Sequence, residues 1–138
     1  MRRYTIVLIF SVLLLSCGTS DSDELYSNTS LVNPQAVSQS SFVGDFVSDA
    51  HPTSGMVKVN STKTSLSFEN FKTDQGPKLL IYLSTTVDST DYVNLGDLQG
   101  TEGNYTYKIS TNTDLKKYKY VVIWCVDFSV SFGHAELK

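Results

Sequence analysis

The thiol of Cys125 is the side chain of this sequence that is best suited to distinctive chemistry, and it lies in the apolar run YKYVVIWCV. A thiolate acts as a nucleophile, a redox centre or a metal ligand, whereas burial in apolar surroundings makes a thiol inert. Along a strand, alternation places Cys125 on one face with Val121 and Ile123. Two interpretations follow: a buried cysteine that acts as a small hydrophobic residue, or a redox thiol or prosthetic-group ligand.

The two histidines are the residues that could join Cys125 in a ligand set. His51 begins HPTSG, in which Pro52 and Gly55 indicate a turn, and an imidazole at a loop tip is free to bind a metal or haem iron. His134, in FGHAEL, precedes the predicted last strand and is expected at the surface. With Cys125 they make three ligands at most, whereas zinc takes four, or three and a water, so we assign no metal site.

Familiar catalytic patterns are absent from the sequence. It has no glycine-rich phosphate loop after a strand and no CxxC, HExxH or GxSxG motif. No pattern singles out a pair of carboxylates for glycoside hydrolysis. The formal net charge is −3, which argues against a nucleic-acid partner, because phosphate binding needs clustered Lys and Arg. We therefore expect a redox accessory or binding module rather than an autonomous enzyme.

Residues 1–16 have the pattern of an export signal, with two early arginines and an apolar stretch that is too short to span a bilayer. The sequence LLSC, which ends at Cys17, resembles a bacterial lipobox. This predicts a lipoprotein signal peptide, cleavage before Cys17 and acylation of its sulfur, which would give durable membrane attachment. The alternative is an ordinary secretory signal that ends at a chance cysteine.

Residues 17–40 are rich in Ser, Asn, Thr and Gln and predict a flexible linker behind the lipidated cysteine. The acidic start of this segment, CGTSDSDE, resembles the export signal of surface lipoproteins in Bacteroidetes-type bacteria. We therefore expect a protein of the cell envelope that is lipid-anchored to the outer membrane and exposed at the cell surface.

Residues 41–138 carry the pattern of an all-β domain, and the chain length of 138 residues allows one such domain. The segments GMVKVN, SLSFEN and NYTYKI alternate apolar and polar residues, which is typical of strands with one buried face. KLLIYL and YKYVVIWCV are apolar on both faces and predict central strands. Turn residues separate these segments and no helical periodicity stands out. We predict an antiparallel β-sandwich or small barrel of about 7–9 strands.

The same region, from about Phe42 to Leu137, resembles the DM-thirteen domain. The resemblance lies in scattered glycines and apolar residues, in Gly76-Pro77 and above all in the closing block, Ile123-Trp124-Cys125 with Phe128, Phe132-Gly133 and Ala135. Lys78 departs from the pattern, because an acidic residue is common in the family after the Gly-Pro pair. This departure affects the local surface charge.

The resemblance implies an extracytoplasmic all-β domain, often found beside haem-binding DOMON modules or membrane cytochromes. It implies that Cys125 acts in redox chemistry, either as a bare thiol or as a ligand of a prosthetic group such as haem. We expect Cys125, with His51 opposite, to bind the cofactor. Since no cytochrome or DOMON segment accompanies the domain in this sequence, the electron partner is expected to be a separate redox protein or cytochrome. The alternative is a non-catalytic cell-surface binding or interaction module in which Cys125 belongs to the core.

Overall fold

The computed structural model describes residues 42–138, which form eight β-strands and no helix. The predicted signal peptide, the linker and Cys17 lie outside the described residues. The strands are β1 (Phe42–Ser48), β2 (Thr53–Val59), β3 (Ser65–Thr73), β4 (Leu79–Ser84), β5 (Tyr92–Asp97), β6 (Glu102–Lys108), β7 (Tyr120–Cys125) and β8 (Val130–Glu136).

All paired strands are antiparallel and belong to one sheet in the order β5-β4-β7-β8-β1-β2-β3-β6. The two end strands, β5 and β6, also approach one another, so that the sheet is nearly closed and barrel-like. The prediction of an all-β antiparallel fold with 7–9 strands is therefore confirmed. Within the described residues, the structure contains no helix that is long and apolar enough to cross a membrane.

Side chains fill the interior of this sheet, because every second residue of a strand points inward. In β2, Val57 and Val59 are fully buried, while Lys58 points outward and donates to Glu69 of β3 at 2.7 Å. The alternating segments predicted from the sequence thus have one buried face, as expected. The interior also holds a group of aromatic rings, in which the centroid of the Phe68 ring lies about 5 Å from the ring centroids of Phe46 and Phe71.

The strands that are apolar on both faces, β4 and β7, lie side by side within the sheet, as predicted for KLLIYL and YKYVVIWCV. On the inner face of β4, Leu79 and Ile81 belong to the main core. On its outer face, Leu80 and Tyr82 form a second small cluster with Val122 of β7. The outward apolar residues are therefore covered by neighbouring side chains on the outside of the sheet.

Two local predictions are corrected by the structure. The segment HPTSG was predicted as a turn, and His51 and Pro52 do lie in the connection after β1, but β2 already begins at Thr53, and Gly55 lies at a β-bulge with a φ of 114°. A Cβ at this glycine would come within 2.7 Å of the Phe71 Cα, so the bulge requires glycine for both conformation and space. His134 was expected to precede the last strand, yet it lies inside β8, because this strand already begins at Val130.

Candidate functional site

Cys125 is the last residue of β7 and points into the core. Its sulfur-bearing side chain has 0% exposure and lies in the same buried cluster as Val121 and Ile123, on the face that alternation predicts. Its cross-strand partners are Leu79 of β4 and Val130 of β8. Directly opposite residues of antiparallel strands have Cβ atoms about 4.5–5.5 Å apart, so these two side chains flank the thiol.

The aromatic side chain of the hairpin turn after Cys125 points outward. Phe128, which belongs to the closing block of the sequence, lies at this turn and is 71% exposed. The positive φ of Ser129 (52°) turns the chain back towards β8. At the start of β4, Leu79 and Phe132 both lie against Gly76. A Cβ at Gly76 would lie 2.8 Å from Leu79 Cδ2 and 2.9 Å from Phe132 Cζ.

A cavity of about 480 Å³ opens beside Leu79. We call it the Leu79 cavity; its walls are formed by residues 75–79 together with Asp97, Leu98, Gly100 and Thr101. The backbone N–H of Leu98 donates to the Leu79 carbonyl at 2.9 Å and so joins the two walls. The volume lies in the range of small-molecule sites, and the walls combine apolar surface with Lys78 and Asp97 as charged groups. Leu79 therefore borders both the cavity and Cys125.

His51 makes two side-chain contacts of its own. Its Nδ1 donates to Asp74 Oδ2 at 3.0 Å, and its ring stacks on Phe132 with 3.8 Å between the centroids. Phe132 also belongs to the buried cluster that contains Cys125. The Phe132 ring therefore contacts His51 and is part of the core in which Cys125 lies. The arrangement fixes the imidazole through a carboxylate, as second-shell partners of metal-binding histidines do.

His134 forms a separate group on the other side of β8. Its Nδ1 donates to Asp49 Oδ2 at 2.9 Å, and Ser131 Oγ donates to the same carboxylate oxygen at 2.6 Å. The aspartate lies between the other two side chains, so the hydroxyl does not contact the imidazole as it would in a catalytic triad. Across residues 42–138, no three or more His, Cys, Asp or Glu side chains are grouped to hold a metal ion.

Several of these residues escaped the sequence analysis. Asp49 and Asp74 gave no signal beyond their place in turns, because their histidine partners are 85 and 23 positions away in the chain. The walls of the Leu79 cavity come from two segments whose Gly and Asp residues indicated turns and, in Gly76-Pro77, contributed to the family resemblance, but gave no sign of a cavity. The turn pattern GPK before β4 was the available signal for the first wall, and nothing local connected it with the second.

A comparison with protein-family models gives one finding that bears on this site. The model of the family described as electron transfer DM13 matches residues 45–137, which include Cys125, both histidines and the walls of the Leu79 cavity. No curated protein and no solved structure matches the chain.

Proposed function

This chain belongs to the electron transfer DM13 family, and on that premise we propose that it is a redox accessory module of the cell envelope whose reactive group is Cys125. In this proposal the module exchanges electrons with a separate redox protein or cytochrome. The thiol is shielded at rest and is reached through the Leu79 cavity.

The observation that carries this proposal is that Leu79 lines the cavity and is also the direct cross-strand partner of Cys125. Leu79 is the first residue of β4, and strand ends open more readily than strand centres. We infer that Leu79 covers the thiol and that a rotation of its side chain opens a path from the cavity to the sulfur.

The family resemblance implies haem as a prosthetic group, and a haem axial ligand must have its donor atom open to the iron. Cys125 has no exposed surface and so offers no donor atom. His51, whose Nδ1 donates to Asp74, keeps Nε2 as its donor atom. As arranged here, the two residues do not fit a haem between them, and we derive no step through this group. A ligand role for Cys125 or His51 stays a prediction.

A second function is favoured by the same burial. The thiol has 0% exposure and lies among apolar side chains, which is the usual environment of a structural cysteine. In that case the domain is a non-catalytic binding or interaction module at the cell surface, and Cys125 fills the core.

We further propose that Cys17 carries the lipid that attaches the module to the outer membrane, with residues 17–40 as the linker. The lipobox-like LLSC and the preceding apolar stretch support this proposal. Acylation of Cys17 leaves Cys125 as the free thiol of the chain, since the sequence has two cysteines.

Alkylation of Cys125 by a small maleimide separates the two functions. Because Leu79→Ala removes the cover, we expect it to accelerate alkylation relative to the parent protein. Leu80→Ala is the matched control, because Leu80 is equally buried but points to the outer face of β4. The mass of the alkylated protein gives the rate.

Low concentrations of urea test whether alkylation merely reports global unfolding of the protein. Alkylation through global unfolding rises steeply with urea, whereas alkylation through a local opening does not. A urea-insensitive rate that increases in Leu79→Ala alone supports access through the cavity. If all three proteins are alkylated only as fast as they unfold, Cys125 is a core residue and the binding module is the better function.

A further inference from the structure

Three aromatic rings form a continuous stack on the outer face of the sheet. The Tyr82 ring of β4 lies 3.9 Å from the Tyr92 ring of β5, at an interplanar angle of 14°. On its other side, the Tyr82 ring lies 6.2 Å from the Trp124 ring of β7, at an angle of 24°. We call these three residues the aromatic column; they lie on three adjacent strands.

The register of the strands produces this stack. Tyr82 pairs directly with Asn94 and Val122. Tyr92 lies two residues before Asn94 in β5, and Trp124 lies two residues after Val122 in β7. The rings therefore meet along a diagonal, at a separation that aromatic side chains can bridge. Tyr82 is 5% exposed between its neighbours, Trp124 is half-buried and Tyr92 is 45% exposed at the end of the column.

The stacking makes this surface better suited to electron transfer than to carbohydrate binding. A carbohydrate platform offers open ring faces, but here the faces of Tyr82 are turned towards its neighbours. What the stack offers is π contact from Trp124, the residue before Cys125 in β7, to a ring at the surface. Tryptophan and tyrosine are also the aromatic side chains that lose a single electron most readily.

We propose that the aromatic column conducts oxidising equivalents from Trp124 through Tyr82 to Tyr92, where they reach solvent. The oxidant is a small one-electron oxidant, an inorganic or organic radical. This inference goes beyond the proposed function, because none of its steps uses the Cys125 thiol.

The hydroxyl groups of Tyr82 and Tyr92 determine where the proton of Tyr82 goes when Tyr82 is oxidised. Burial, together with a hydrogen bond to the Tyr92 hydroxyl, raises the pKa of Tyr82 to about 12. Tyr82 therefore stays protonated near neutral pH, and its electron can leave only together with a proton. In our proposal this hydrogen bond passes the proton to the Tyr92 oxygen, while the hydroxyl proton of Tyr92 moves to water.

The steps balance as follows. The oxidant takes one electron from the Trp124 indole and leaves a radical cation. Tyr82 gives one electron to the indole while its proton moves to the Tyr92 oxygen and the hydroxyl proton of Tyr92 passes to water. Tyr92 then returns one proton and one electron to Tyr82. The net change is one electron from Tyr92 to the oxidant, one proton to solvent and a neutral phenoxyl radical at Tyr92.

Pulse radiolysis of the full-length chain tests this route. The azide radical oxidises tryptophan in preference to tyrosine, and Trp124 is the one tryptophan of the sequence. In the parent protein we expect the indolyl absorption to decay in a first-order phase that is independent of protein concentration. The phenoxyl absorption should grow at the same rate.

Tyr82→Phe keeps the stacked ring but removes the group that can be oxidised, so we expect the first-order phase to be lost. Tyr120→Phe is the matched control, because Tyr120 lies on the same face of β7 but outside the column, and it should leave the phase unchanged. Tyr92→Phe removes the proton acceptor of Tyr82 and should slow the phenoxyl growth; it serves as the second test if Tyr82→Phe does not fold.

The inference is overturned if the parent shows no first-order transfer, if Tyr82→Phe transfers like the parent, or if Tyr120→Phe abolishes the phase. Cys125→Ser should retain the transfer, whereas its loss would mean that the thiol carries the radical and that the column does not. Since alkylation of Cys125 is measured separately, failure of the column and failure of the proposed function are distinguishable.

Discussion

At the scale of single residues, the position of Cys125 at the end of β7 gives its thiol an apolar, buried environment. The thiol is flanked by Leu79 and Val130 and has 0% exposure, and both partners are apolar. A thiol in such a site packs as a small hydrophobic group. In the function we propose, its reactivity depends on the neighbouring Leu79 as well as on the cysteine itself.

Substitutions of Cys125 should reveal this environment in the free energy of unfolding. Cys125→Ala leaves a small cavity and should cost about 1 kcal/mol. Cys125→Ser places a hydroxyl among apolar side chains without a partner and should cost about 1–3 kcal/mol, more than alanine. Urea unfolding measures both values. Serine tolerated better than alanine would show that the site is polar or open to water.

Tyr82 should make the protein sensitive to alkaline pH. Its pKa is raised from 10.0 to about 12, by burial first and then by the hydrogen bond to Tyr92. Above pH 10 the unfolded chain loses this proton while the folded chain keeps it, so stability is lost as the pH rises towards about 12. Urea unfolding across this range should show a shallower decline for Tyr82→Phe than for the parent, and equal slopes would contradict the assignment.

At the scale of the strands, Thr53 joins three parts of the sheet at the start of β2. Its buried Oγ1 lies 3.0 Å from Thr73 Oγ1 of β3 and 3.2 Å from the Phe132 carbonyl of β8. It also lies 3.2 Å from the His51 carbonyl. This end of the sheet is also close-packed, because a Cβ at Gly133 would overlap the Thr53 side chain.

A double-mutant cycle should measure this connection. Thr53→Val preserves the shape but leaves the Thr73 hydroxyl without its partner, and we expect a loss of about 1–3 kcal/mol. Adding Thr73→Val removes the orphaned group and should recover part of that loss. The Phe132 carbonyl remains satisfied in both variants, because it accepts from the backbone N–H groups of Asp49 and His51. Simple additivity of the two substitutions would show that the hydroxyls are not coupled.

At the scale of the whole molecule, several charged side chains within residues 42–138 form ion pairs on the outer surface. Lys119 Nζ donates to Glu136 Oε1 at 2.6 Å, which holds the pKa of this carboxyl below its ordinary value. The contribution of such a pair is present above the ordinary carboxyl pKa and is lost as the pH falls through the lowered one. Because these groups are exposed, solvent screens them and the interior supplies most of the stability.

The proposed lipid anchor on Cys17 can be tested by fractionation, with a substitution of Cys125 as the control. Cys17→Ser removes the acceptor for acyl chains, so the protein should move from the membrane fraction to the soluble fraction of its host. Cys125→Ser should stay in the membrane fraction. Immunoblots of the two fractions give the distribution, and membrane retention of Cys17→Ser would exclude this residue as the anchor.

The amino-acid pattern alone was enough to predict the fold class, the central position of β4 and β7, and the face on which Cys125 lies. These features depend on the period-two alternation, which is local and follows from the geometry of a strand. It could not predict that Leu79 pairs with Cys125 beside a cavity, that each histidine is bound to its own aspartate, or that Trp124, Tyr82 and Tyr92 stack. Those contacts join residues far apart in the chain. They depend on register and strand order, which the tertiary structure fixes when the strands close into one sheet.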